Sequence, residues 1–99
     1  MKTQTSTTQK FDYSNHTIAE IAHVCCANWT KLPIRGTREF DEHQAGHYLN
    51  AMFTMETIDD GYGCDTGDTT IRYFLSNVSS WRGDVARSVK AELHHRLDK

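Results

Sequence analysis

Ile18, Ile21, Ala22, Cys25 and Trp29 recur at helical intervals along IAEIAHVCCANW. That spacing gathers all five on one face of an α-helix, whereas a strand would scatter them over both faces. The same rhythm returns in Ala45, Tyr48, Leu49, Met52 and Phe53, and again in Trp81, Val85, Ala86, Val89, Leu93 and Leu97. No stretch shows the strict alternation of a half-buried strand. IRYFL (residues 71–75) has strand-like composition, but the cap residues around it favour a helix. The chain is therefore expected to be all-α: a compact bundle of about four helices, with an acidic glycine-rich loop between the second and third.

Local signals place the boundaries. Thr17 with Glu20 forms a capping box, so the first helix starts there. It should end before Leu32-Pro33, because the residue before a proline is pushed out of the helical region. Residues 31–40 are a connection, and a strand is the main alternative there. The second helix is expected to begin at Asp41 with Gln44 as its capping partner. Gly46 inside it costs about 1 kcal/mol against alanine, which points to a close neighbour or a tolerated weakness. DDGYGCDTGD (59–68) is a loop by its glycines and aspartates. A short third helix should run from Thr69 to about Asn77, capped by Asp68 or Thr69, with Ile71, Phe74, Leu75 and Val78 inward. Ser79 or Ser80 should cap the last helix. Residues 1–13 read as a flexible polar tail whose end is anchored by Phe11 and Tyr13, and 14–99 as a single helical domain.

With 99 residues the chain has room for one domain, and 37% hydrophobic with 24% charged residues suits a soluble globule. No apolar run approaches the roughly 20 residues of a membrane span, and the first residues lack a signal-peptide core. The expected location is the cytoplasm. There the three glycosylation sequons and Arg82-Gly83-Asp84 carry no message. Three cysteines, two of them adjacent (Cys25, Cys26), are not a disulfide framework. Cys25 lies on the apolar stripe as a small buried hydrophobe.

The net charge of −2 conceals a strong segregation. Residues 1–38 hold five Lys/Arg and two acids, and residues 69–99 hold six Lys/Arg and three acids. Between them, residues 39–68 hold eight acids and no Lys or Arg. Such a segment is either a solvated face that pairs with the protein's own arginines or a surface aimed at a basic partner. On the second reading the partner-binding residues are Glu42, Glu56, Asp59, Asp60, Asp65 and Asp68. Tyr62, flanked by glycines, is then the apolar anchor that a charged interface needs.

Other motifs carry less. His43 and His47 in EHQAGH have the four-residue spacing of a zinc-protease helix, but Gln44 stands where that chemistry needs a glutamate base, and no third ligand is spaced for it. They remain weak metal candidates, read first as two histidines on a helix flank. Asp65-Thr66-Gly67 matches the aspartic-protease triplet but lacks the hydrophobic strand that should precede it. No serine elbow or phosphate loop is present, so neither an enzyme nor a cofactor is expected. Arg82, Arg87, Lys90 and Arg96 on the last helix give an alternative, a DNA-binding regulator with a homodimer as one form open to it, although Asp84, Glu92 and Asp98 interrupt the positive field.

The segment DDGYGCDTGDTTIRYFLSNVSSWRGDVARSVKAEL resembles small proteins of phages and other mobile elements, in its acidic glycine-rich loop, YFLSN, WRG and the run Ala86, Arg87, Lys90, Glu92, Leu93. TIAEIA likewise resembles the opening helix of helix-turn-helix units, without the turn that should follow. The first resemblance implies a setting rather than a chemistry. Small phage proteins, anti-CRISPR proteins among them, often bind and block a host protein or ribonucleoprotein complex with a basic surface. The expectation is a non-enzymatic inhibitor of that kind.

Overall fold

The structure is a computed structural model that describes residues 12–60 and 66–98. They form five helices and no strand: α1 (Ile18–Asn28), α2 (Arg38–Glu42), α3 (Gln44–Met52), α4 (Gly67–Ser76) and α5 (Asp84–Leu97). The all-α expectation holds, with the second helix divided in two.

α1 starts where the capping box places it. The Glu20 amide donates to the Thr17 hydroxyl at 3.0 Å, and the Thr17 amide donates to the Glu20 carboxylate at 2.7 Å. Two more first-turn amides find partners far along the chain, Ile18 on the Glu56 carbonyl and Ala19 on the Met55 carbonyl. The loop after α3 thus satisfies the donors that a helix start leaves open. α1 stops at Asn28, earlier than Pro33 requires. Trp29 turns out of the helix to stack on Trp81, with ring centroids 5.4 Å apart and planes 11° from parallel. The Trp81 indole N–H donates to the Asn28 carbonyl at 3.4 Å.

Residues 31–40 hold no strand. Gly36 adopts φ 92°, and the Thr37 amide donates to the Ile34 carbonyl, which closes a turn with Ile34 on its outside. Thr37 then caps α2 through the Phe40 amide. The single expected helix from Asp41 breaks at His43, whose backbone is extended. The imidazole Nδ1 of His43 accepts from the amides of Ala45 at 3.1 Å and Gly46 at 3.4 Å, so His43, not Asp41, starts α3. Gly46 explains the tight corner. A Cβ there would lie 2.1 Å from the Phe40 carbonyl oxygen, so the glycine marks a close approach of α2 to α3.

α4 starts at Gly67, two residues before the expected Thr69, with Thr66 at the N-cap position and no side-chain cap bond. Gly67 is a second close approach: a Cβ there would sit 2.1 Å from the Asp60 carbonyl oxygen and 2.3 Å from that of Ile58. Neither Ser79 nor Ser80 caps α5. The helix begins at Asp84 after Gly83, which takes φ 114°. Trp81 therefore precedes the helix and is buried by its stack on Trp29 rather than by a place on the α5 stripe.

α3 packs on α4 and α2, α1 packs on α3 and α5, and α4 reaches α5. Phe40, Leu49, Met52, Met55, Ile71, Phe74, Val89 and Leu93 join the α1 stripe in one core. Tyr13 packs on its margin, and the carbonyls of Tyr13 and Ser14 accept from the Arg96 guanidinium. The start of the domain is tied to its last helix. Phe11 lies outside the described residues, as does most of the expected tail.

Candidate interaction surface

The acidic residues fall into two groups. Glu39, Asp41 and Glu42 line α2, alongside α3. Glu56, Asp59 and Asp60 form the turn after α3, and Asp68 lies in the first turn of α4, beside the Gly67 contact with that turn. Tyr62, Cys64 and Asp65 fall outside the described residues.

Four of the carboxylates are engaged within the domain. The Asp60 carboxylate accepts from the amides of Glu56 at 2.7 Å and Thr57 at 3.2 Å, closing the turn. Asp68 accepts from the Thr66 hydroxyl at 2.6 Å. That bond, above all, holds its carboxyl below the usual carboxylate range. Asp41 accepts from the Asn50 amide at 2.8 Å. Glu42 forms an exposed ion pair with Arg38 at 3.3 Å. Among the described residues this is the single ion pair made by any acid of the 39–68 segment. Glu39, Glu56 and Asp59 are exposed and carry no cationic partner there.

The basic residues of α5 are mostly engaged. Arg96 pairs with Glu92 at 2.7 Å, with both side chains only 15% exposed. Arg87 pairs with Asp84. The Lys90 ammonium donates to the Trp81 carbonyl at 2.6 Å. Burial, and then the neighbouring Arg82 charge, holds that ammonium below its ordinary value. Arg82 is exposed.

Among the described residues, His43 and His47 are joined by no third metal-ligating side chain. His43 Nδ1 is taken by the start of α3, and its ring sets an edge against Trp29 at 5.8 Å. His47 is exposed and sets its ring against Tyr48 at 5.1 Å. No group of three or more His, Cys, Asp or Glu among the described residues is placed to hold a metal ion. Thr66 and Gly67 of the aspartic-protease triplet open α4, with Gly67 pressed on backbone carbonyls. Cys25 is fully buried, and burial pushes its thiol far above the ordinary value, which leaves it inert as a nucleophile. No described helix is long and apolar enough to cross a membrane.

One feature escaped the sequence reading. Asp41, Glu42, His47, Tyr48 and Asn77 line a recess of about 360 Å3 where α2, α3 and the end of α4 meet. Tyr73 of α4 stands beside it, 51% exposed, its ring 5.7 Å from that of Tyr48. Tyr48 had read as a core position. Tyr73 had no place on the buried stripe of its helix, and an aromatic residue off the stripe was the available signal.

No protein-family model, no curated protein and no solved structure matches the chain.

Proposed function

We propose that the chain is a small non-enzymatic binding protein whose acidic side docks on a basic surface of a partner protein or ribonucleoprotein complex and blocks it by occupation. The observation that carries this reading is the unneutralised acid of the 39–68 segment: Glu39, Glu56 and Asp59 face solvent without a cationic partner among the described residues. A surface of one sign speeds encounter with the opposite sign and fixes register. The resemblance of the C-terminal third to small phage and mobile-element proteins gives the setting, a host-directed inhibitor of the anti-CRISPR kind.

The test is co-purification from bacterial lysate at low and moderate salt, with the partner identified by mass spectrometry. The control is the triple variant Glu39→Lys, Glu56→Lys, Asp59→Lys. These three carboxylates make no cap or turn bond, so the variant should keep the helical circular-dichroism spectrum. Asp60 is avoided because its carboxylate closes the 56–60 turn. One stoichiometric partner, held by the wild type and lost by the variant, is expected. Equal capture by the folded variant overturns the reading.

A further inference from the structure

This inference rests on the function just proposed and locates its contact. We propose that the recess beside Tyr48 is the docking site for an arginine side chain of a basic protein segment. Three observations on different atoms converge there. The Tyr48 and Tyr73 rings, 5.7 Å apart and tilted by 34°, expose an aromatic surface at the margin of the recess. Aromatic faces attract cations, and the flat guanidinium stacks on them better than a compact ammonium does. Asp41 and Glu42 line the same recess; the Asp41 carboxylate accepts from the Asn50 side chain, and Glu42 is paired only with the exposed Arg38. The third observation is Arg38. Its guanidinium already rests on the Glu42 carboxylate at 3.3 Å, with 85% of its own side chain exposed. Arg38 does not itself line the recess, and its hold on Glu42 is a solvated i,i+4 pair that is worth little and easily exchanged.

Arg38 is therefore an internal competitor for the incoming arginine. The partner's guanidinium takes Glu42 and lies against the tyrosine pair, with Asn77, whose side-chain N–H donates to the Tyr73 carbonyl, also lining the recess. Removing Arg38 should tighten binding, which no purely structural role of the recess would produce.

The experiment is an NMR titration of the full chain at low salt with three synthetic peptides: alternating Arg-Gly, alternating Lys-Gly, and alternating citrulline-Gly as the neutral isostere. The Arg-Gly peptide is expected to shift the ring signals of Tyr48 and Tyr73 and the side-chain amide of Asn77. It should bind more tightly than Lys-Gly, and citrulline-Gly should give no shift. Tyr73→Ala and Glu42→Gln should each weaken the Arg-Gly complex by about three- to tenfold, and Arg38→Ala should strengthen it by a similar factor. Melting curves check the fold of each variant, and Glu42→Gln remains informative if Tyr73→Ala is perturbed. Shifts confined to the Glu56–Asp60 turn, or unchanged affinity in both weakening variants, overturn the recess as the site while leaving the acidic-docking function standing. Indifference of the wild type to all three peptides, together with loss of lysate capture, removes both.

Discussion

Arg38–Glu42 and Arg96–Glu92 are both i,i+4 ion pairs on helices, yet they stand in opposite settings. The first joins side chains 85% and 69% exposed at 3.3 Å. The second joins side chains 15% exposed at 2.7 Å, and its arginine also reaches the carbonyls of Tyr13 and Ser14. The same contrast runs through the two regions. On α5, Arg96 and Lys90 are drawn inward to hold the start of the domain and the Trp81 carbonyl, while the Arg87–Asp84 pair stays exposed. On the α2–α3 side, much of the charge is left in water. Burial decides which charges are structural and which are free for a partner, because an exposed pair is screened while a desolvated one must be satisfied. α5 thus spends Arg96 and Lys90 inside the domain, whereas Glu39, Glu56 and Asp59 stay in solvent without a cationic partner among the described residues.

The largest expected effect tests what supports the acidic side. α2 is five residues long and buries only Phe40. Phe40→Ala should cost about 3–5 kcal/mol by urea unfolding. A loss below about 1 kcal/mol would mean that α2 does not rest on this contact. Gly46→Ala comes next. Alanine favours a helix by about 1 kcal/mol over glycine, but here its methyl would meet the Phe40 carbonyl oxygen. A net loss of about 2–3 kcal/mol is expected, and a stabilised variant would contradict the close approach. Arg96→Met keeps much of the apolar stem but drops the bonds to Glu92, Tyr13 and Ser14. It should cost about 2 kcal/mol, whereas Glu39→Gln and Asp59→Asn should stay within about 0.5 kcal/mol of wild type. Equal effects in the two sets would erase the comparison.

The smallest effect is in pH. Asp68 has its folded carboxyl held below the ordinary value by the Thr66 hydroxyl. Its contribution is therefore present above the ordinary carboxylate value and lost as pH falls through the folded one. Asp68→Asn should flatten the acid limb of the stability curve. Lys90 gives a slope of the same sign for a different reason, because here the charged form is penalised rather than favoured. Its folded value is lowered by burial, so stability rises with pH as the approach to the ordinary lysine value removes the cost of burying the charge. Lys90→Met should abolish that rise in a pH series of melting temperatures.

Helix type was legible because it depends on local spacing. The α1 stripe, the Thr17–Glu20 box, the inward faces of α4 and α5 and the helical state of IRYFL follow from periodicity and capping. The candidate surface was only half legible. The charge segregation stood in the sequence, but Asp60 looked equivalent to Glu56 and Asp59 until the structure gave its carboxylate two backbone amides. The place of Tyr73 off the buried stripe was legible, but its pairing with Tyr48 depends on how α3 lies against α4.

By itself, then, the sequence determined an all-α domain, its apolar faces, and a thirty-residue stretch free of basic groups. Tertiary structure alone decided where the helices break. Trp29 leaves α1 to meet Trp81, His43 ends α2 to start α3, and Gly83 delays α5 until Trp81 has turned inward. Each break trades a few residues of local helical preference, worth tenths of a kcal/mol each, for burial of a large aromatic ring or a satisfied helix end, worth kcal/mol. The stronger term lies between residues far apart in the chain, and local spacing does not report it.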